Sequence, residues 1–499
     1  MKRWINEILP SFFVFGFGSN YPNGGVGKHI HKFLEKGILG IILFSRNVVE
    51  PTQLWILLKH FVEFSGRKLM ISTDQEGGRY SSLKNGFTFG IPPMGLTATK
   101  NLSLAKKEGE IISEELSTVG VNTILAPSLD VNNSLDNPII GLRSFSSNPN
   151  EVVKFSKAFI EGLKTNNLKI CVKHFPGHGP TNVDSHEELP VVNITENEWR
   201  EIHLTPFEKI IRYENIDMIM TAHVLYPSID NVPGTLSKKF LTDILRGELG
   251  FEGIIVTDCL EMAAMKKHFG VKKATVESFK AGADVILISH SPNLQHEGIE
   301  ALEEAIEYGE VSEKKVKESY ERIEKFKNTL PEFPYDWKRV INLSKNKDFE
   351  ENISRESITV IERESILPLK NIKNAVIVGV NVDRIKDKIE KYLNSVVENL
   401  TFISHENLQK SILLENAETI FIVTYLRKIS KDLTEKLRHI RNLNHKIIHI
   451  SLFNPYDAIK WDFMPVSIVT YGAQPYQLSA LAEVIKGKIK PNSKLPMYT

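Results

Sequence analysis

Two cysteines in 499 residues are too few for a disulfide framework. Cys171 and Cys259 both fall in or beside apolar runs, where a free thiol behaves as a small buried hydrophobe. This usage fits a cytoplasmic protein. An excess of one charge is also missing, since 62 basic and 61 acidic side chains leave a net charge of +1. A chain built around nucleic acid or an anionic membrane would carry a basic surplus, so neither partner is expected. No apolar run approaches the ~20 residues of a membrane span. The stretch Ile8 to Phe15 superficially suggests a signal peptide, but Glu7 and Pro10 interrupt it and no small-residue cleavage site follows. It reads instead as the approach to a first strand, Phe12–Phe17. Internal repeats and low-complexity tracts are lacking too.

What remains is the composition of a globular protein, 41% apolar and 25% charged. The length exceeds the roughly 250–300 residues at which a single core stops growing, so more than one domain is expected. The first 290 residues alternate β-rich runs with amphipathic stretches. The runs are Phe12–Phe17, Leu39–Phe44, Leu69–Thr73, Val121–Leu125, Leu168–Lys173, Asp217–Thr221, Gly253–Thr257 and Asp284–Ser289. Helical patterns such as Gln53–Phe64, Leu104–Ser117, Val152–Leu163, Glu198–Ile211 and Lys239–Leu245 lie between them. Alternation of this kind implies parallel strands joined by right-handed crossovers. Eight units predict an α/β fold of the (β/α)8 TIM-type barrel kind, with a doubly wound open sheet as the alternative. Glu303 to Lys327 reads as a charged helical segment closing this domain. The expected organisation is a catalytic barrel over 1–328, a linker over 329–346 around Leu330–Trp337, and a second α/β sandwich domain with a mostly parallel sheet over 347–499. Strands of the second domain are expected at Ala375–Val380, Leu400–Ser404, Thr419–Tyr425, Lys446–Leu452 and Val466–Tyr471. Ile377-Val378-Gly379-Val380 lacks the spaced glycines of a dinucleotide fingerprint, so no cofactor is expected there.

Polar residues recur at the strand ends: Asp74, Asp130, Lys173 with His174, His223, Asp258 and His290. In a barrel all strand C-termini share one face, so these side chains would converge. The densest group is Lys173-His174-Phe175-Pro176-Gly177-His178-Gly179, followed by Asp184-Ser185-His186. Asp184 and His186 are two apart, so in an extended loop they point the same way, and a carboxylate on one imidazole nitrogen raises the basicity of the other; alone, the same Asp-x-His spacing also fits an ordinary surface loop. The prolines and glycines before them suggest a loop that moves. Pro176 excludes a regular helix, so His174 and His178 do not form a helical i, i+4 metal pair, and no metal is expected. His178 reads as a residue that holds the turn. Asp258 ends an apolar strand and could attack an electrophilic sugar carbon, or could cap a following helix at Leu260–Lys267. Asp74, in Asp74-Gln75-Glu76-Gly77-Gly78-Arg79, suits two adjacent sugar hydroxyls or forms a turn. Arg143 offers a fork of donors for an oxygen-rich ligand or a salt bridge to Asp130 or Asp136.

Taken together, these motifs resemble glycoside hydrolase family 3, in particular its β-N-acetylglucosaminidase branch. The matching pieces run in family order: Gly40–Asn47, Asp74–Arg79, Leu125–Asn132, Ile140–Phe145, Lys173–Gly179 with Asp184–His186, Met220–His223 and Val256–Asp258. The resemblance implies a retaining exo-β-N-acetylglucosaminidase acting on muropeptides, as in peptidoglycan recycling, or on chitin oligosaccharides. It places the nucleophile at Asp258, the acid/base at His186 with Asp184 as partner, and sugar contacts at Asp74, Arg79, Arg143, Lys173, His174 and His223. Ser82 stands where many relatives carry a second arginine, and Ser146 where a glycine commonly follows. Glu356–Val360 and Lys494–Pro496 are similar to pieces of the family's second domain, and no further domain is expected after them. A phosphorylase is the alternative, since a histidine acid/base does not repel phosphate as a carboxylate would. A non-catalytic sugar-binding protein on the same scaffold is the third reading. A carbohydrate is the expected partner, and the chain is expected to be a monomer or homodimer.

Overall fold

The computed structural model describes residues 3–21, 28–181, 184–185, 187–410, 412–443 and 445–497. They form two compact units, one from 1–89, 105–140 and 148–345, the other from 90–104, 141–147 and 346–499.

The first unit is built on eight strands: β1 Phe13–Gly16, β2 Gly40–Leu43, β3 Met70–Thr73, β4 Thr123–Ile124, β5 Lys169–Phe175, β6 Met218–Thr221, β7 Ile254–Val256 and β8 Ile286–Ile288. They pair in parallel in the order β7-β6-β5-β4-β3-β2-β1-β8. A bridge between Val256 and Val285, with Thr257 N–H donating to the Val285 carbonyl at 3.0 Å, draws the two ends together into a barrel. Every residue of β1, β2, β3, β6, β7 and β8 is buried. Burial on both faces explains why these strands read as unbroken apolar runs rather than alternating ones. The helices between them are amphipathic. Pro51–Ser65 buries Leu54, Leu57, Leu58 and Phe61, an i, i+3, i+4, i+7 stripe.

Two local expectations are corrected. The segment Glu303 to Lys327 is two helices, Pro292–Glu307 and Glu313–Thr329. Gly309 between them has φ +77, a left-handed conformation that ends the first helix, and Ser312 caps the second through Lys315 N–H. The helix after Asp258 is only Ala263–Lys266, so it starts too far along the chain for Asp258 to cap it. The segment after Leu330 is hydrogen-bonded within the first unit. Pro334 accepts from Trp55 Nε1 at 2.8 Å, and Leu330 accepts from Lys68 Nζ at 3.0 Å.

The second unit carries β9 Thr359–Glu362, β10 Ile372–Val380, β11 Val397–Ser404, β12 Thr419–Thr424, β13 Lys446–Ser451 and β14 Val466–Val469. Their order is β11-β10-β12-β13-β14-β9, parallel except for β9, which runs antiparallel to β14. Strand alternation feeds two apolar layers. Ala375 and Ile377 join Phe421, Val423, Ile448 and Ile450 on one face. Val376 and Val378 join Ile420, Ile422 and Ile447 on the other. The unit is an α/β sandwich with a mixed sheet. No helix among the described residues is long and apolar enough to cross a membrane.

Candidate active site

The C-terminal ends of the barrel strands carry the polar residues. Lys173, at 1% side-chain exposure, lies between two carboxylates: Asp74 Oδ1 at 2.5 Å and Glu76 Oε1 at 2.7 Å. A buried ammonium needs such compensation. Its acidic partners come from the loop after β3, which is stitched shut by Gln75. That side chain donates to the Leu83 carbonyl at 3.1 Å and accepts from Leu83 N–H at 3.0 Å. Ser82 takes part through its backbone, donating to the Asp74 carbonyl at 2.9 Å and accepting from Ser45 Oγ at 2.9 Å. Arg79 lies in the turn Gly78–Tyr80 of this loop, its guanidinium 5.7 Å from the Tyr80 ring.

His174 follows Lys173 on β5, and its Nδ1 is 2.7 Å from Asp130 Oδ2. Asp130 also accepts from Ser128 Oγ at 2.9 Å and from the backbone N–H of His178 at 2.6 Å. Burial alone would raise its pKa. The His174 and His178 contacts outweigh that and hold the carboxyl well below the usual carboxylate range. An ionised Asp130 accepts only, so His174 carries a proton on Nδ1.

Beyond His174 the chain is clamped at each carbonyl. Trp199 Nε1 donates to Pro176 at 2.9 Å, Tyr226 Oη to Gly177 at 2.8 Å, and Asn137 Nδ2 to His178 and Gly179 at 3.0 and 2.8 Å. A Cβ on Gly179 would sit 1.7 Å from the Val131 carbonyl, so only glycine fits. Every carbonyl from Pro176 to Gly179 is thus hydrogen-bonded. Further on, Asp184 and Ser185 are buried, and Ser185 accepts from Ala264 N–H at 3.2 Å. His186 lies outside the described residues.

Asp258 follows β7, and its Oδ1 accepts from Cys259 N–H at 2.7 Å. Burial pushes the Cys171 thiol far up, Lys173 opposes that, and Asp74 and Asp258 reinforce it. His223 was expected to touch the sugar. Instead its Nδ1 faces Thr235 Oγ1 at 2.8 Å and its Nε2 faces the Cys259 carbonyl at 3.0 Å. Both nitrogens are engaged inside the protein, and the ring braces the backbone beside Asp258. Arg143 lies in the turn Gly141–Arg143, in a segment that belongs to the second unit.

Glu76 and Asp130 were missed as site residues. The only sequence signal for Glu76 was its place two residues from Asp74, and for Asp130 its place after a strand. The motif Gly40–Asn47 is structural: Asn47 Nδ2 donates to the Phe17 and Ser19 carbonyls, and Arg46 spans the ends of β1 and β8 through Phe17 and Ser289. Among the described residues no group of three or more His, Cys, Asp or Glu side chains is arranged to hold a metal ion. A cavity of about 630 Å³ opens at the opposite ends of the strands, walled by Leu69, Asn122, Leu168 and Phe333, and holds none of the expected site residues.

Residues 26–326 match the glycosyl hydrolase family 3 N terminal domain. The chain is 32% identical to Beta-hexosaminidase A of Pseudoalteromonas piscicida over 404 residues, 74% of this chain and 67% of that protein. It is 37% identical to a Beta-hexosaminidase of Tolumonas auensis over 251 residues, 50% of this chain and 74% of that protein. Among solved structures, a glycoside hydrolase family 3 beta-N-acetylglucosaminidase from a Paenibacillus species superposes with a TM-score of 0.88 at 30% identity, covering 99% of this chain and 98% of that one. With the family's N terminal domain matched over residues 26–326, a curated relative at 32% identity and a solved relative superposing over 99% of it, the chain belongs to glycoside hydrolase family 3 and is a glycoside hydrolase.

Proposed function

We propose that this enzyme is a retaining exo-β-N-acetylglucosaminidase that removes terminal β-linked N-acetylglucosamine from muropeptides or chitin oligosaccharides. The observation that carries the reading is the buried Lys173 on β5, held between Asp74 and Glu76 from the loop after β3, on the barrel face where Asp258 follows β7. The Paenibacillus relative, matched end to end, supports the sugar.

In this reading Asp258 attacks the anomeric carbon, and the bond to the leaving oxygen breaks as the aspartyl ester forms. His186, paired with Asp184, gives its proton to that oxygen. Water then attacks the same carbon, His186 takes the water's proton, and the ester bond breaks to free the Asp258 carboxylate and the sugar. Lys173, Asp74, Arg79, Arg143 and His174 hold the sugar. Lys173 is rigid because two carboxylates fix it, and His174 because Asp130 does.

Release of 4-nitrophenol from its N-acetyl-β-glucosaminide tests the reading. Wild type is expected to turn over, and Asp258→Ala to lose about 10³-fold or more in kcat. A fluorinated glycoside should leave a trapped adduct on Asp258 by mass spectrometry. The products at saturating phosphate should be free sugar; a sugar phosphate would make the enzyme a phosphorylase. No turnover by wild type, or an adduct on another residue, sinks the proposal.

A further inference from the structure

His178 is the one histidine of the Lys173–His186 stretch that the reaction above leaves unused, and it is buried. Its ring joins two points of its own loop. Nδ1 is 2.9 Å from Thr181 Oγ1, and Nε2 is 3.0 Å from Ser185 Oγ. Thr181 Oγ1 donates its only proton to the His178 carbonyl at 3.0 Å, so Nδ1 must be the donor to Thr181. A neutral ring then has its lone pair on Nε2, and Ser185 O–H donates to it.

Ser185 is therefore held at two places. Its hydroxyl is held by His178, and its carbonyl by Ala264 N–H, in the segment that follows Asp258. His178 is itself fixed from behind, since Asp130 takes its backbone N–H with one oxygen and His174 Nδ1 with the other. A continuous series of hydrogen bonds runs from His174 through Asp130 and His178 to Ser185, the residue covalently next to Asp184. Clamped carbonyls at Pro176 to Gly179 keep the His178 end from drifting.

We propose that His178 is a positioning residue for the Asp184 carboxylate, acting through the hydroxyl of Ser185. This rests on the reading of Asp184 as the partner of the acid/base. The cluster that grips the sugar thereby also sets the group that governs proton delivery to the leaving oxygen. Proton transfer is sensitive to placement, and a shift of 1 Å costs about 10²-fold in rate. Losing the Ser185 hydroxyl leaves His178 Nε2 buried without its donor and frees the tip of the loop.

The signature is a dependence on the leaving group, which a merely structural role does not produce. Ser185→Ala and His178→Gln are compared with wild type on aryl N-acetyl-β-glucosaminides whose phenols span pKa values from about 4 to about 10. A poor leaving group needs the acid and a good one does not. Each variant is expected to keep kcat/KM, which reports the bond-breaking step alone, within about 3-fold on the most acidic phenol and to lose about 30- to 100-fold in it on the least acidic. The double variant should lose no more than either single one, because both cut the same contact. Ser185→Thr, which keeps the hydroxyl, should restore the wild-type slope. An equal loss on all phenols, no loss, or additive losses overturns the proposal. Asp184→Ala separates the two readings. A steeper slope there alone leaves the acid/base reading standing and removes His178 from it. A flat slope in Asp184→Ala removes the acid/base reading itself.

Discussion

Neither ring nitrogen of His203 has a hydrogen-bond partner among the described residues, although the residue is buried beneath Gly177. Burial pushes its pKa down to about 4, against a smaller upward pull from Asp130. Unfolded, the same imidazole titrates near ~6.5. The unfolded chain therefore binds the extra proton first, and stability falls as pH drops from the unfolded value toward the folded one. Between pH 8 and pH 5 the expected loss is about 2 kcal/mol. His203→Phe should remove that acid-side loss in denaturant melts at the two pH values, and an unchanged loss in the variant would reject the assignment. The residue also shows what a sequence conceals. The placement of Lys173, His174 and Asp258 at strand ends was legible because apolar runs mark where barrel strands stop. Glu76, Asp130 and His203 take their meaning from partners brought close only by folding, and a place near a strand end, which Glu76 and Asp130 have, does not reveal those partners.

At the level of elements, the helix that holds His203 changes character along its length. It is α over Glu196–Glu198, π over Trp199–Leu204 and α again over Thr205–Tyr213. Pro206 has no N–H to give and its ring crowds the carbonyl one turn back, so the widened turns precede it. That widening aims Trp199 Nε1 at the Pro176 carbonyl. The entrance to β8 is held by charge. Asp284, fully buried, receives Arg246 at 2.6 Å, Arg322 at 2.9 Å and Ser319 at 2.8 Å, with Lys315 at 3.6 Å. Burial pushes Lys315 down to about 8 despite Asp284, with Arg322 and Arg246 adding to the fall. Asp284→Ala would leave three cations around one vacated carboxylate and is expected to destabilise the first unit by about 3–5 kcal/mol. Thermal unfolding checks this, and a loss under 1 kcal/mol would show that water solvates the cations. The barrel strands were legible because full burial writes them as apolar runs. β9 was not, because four residues at a sheet edge bury only partly and leave no long run. The break at Gly309 was hidden by charged residues on both sides.

Across the whole molecule, chain order and spatial grouping part company at two loops. Residues 90–104 and 141–147 follow barrel strands in sequence but cluster with the second unit. The contacts that hold the second loop are specific. Asn454 Oδ1 accepts from Leu142 N–H at 3.3 Å, Ser147 N–H donates to the Pro496 carbonyl at 3.1 Å, and Ser146 Oγ donates to the same carbonyl at 2.8 Å. Ser146, which departs from the family's usual glycine, thus gains an anchor from its hydroxyl, and Lys494–Pro496 supplies the acceptor. The second unit has its own buried framework: Asp457 takes Ser451 Oγ at 2.7 Å and Thr424 Oγ1 at 2.5 Å and lies 3.3 Å from His449 Nε2. Ser467 completes a Ser-His-Asp series on His449 Nδ1 at 3.2 Å, yet all three are sealed from solvent, so the series fixes strands rather than attacking substrate. Through Asn454 this framework reaches the turn that carries Arg143. If Arg143 grips the sugar, Asn454→Ala should loosen it without touching Asp258. The expected outcome is a KM raised several-fold, with kcat on the nitrophenyl substrate within about twofold and a melting temperature near that of wild type. Arg143→Ala should show a larger rise in KM, and the double variant no further rise, because Asn454 acts only through that turn. An Asn454→Ala enzyme with wild-type KM would mean that Pro496 alone suffices to hold the loop.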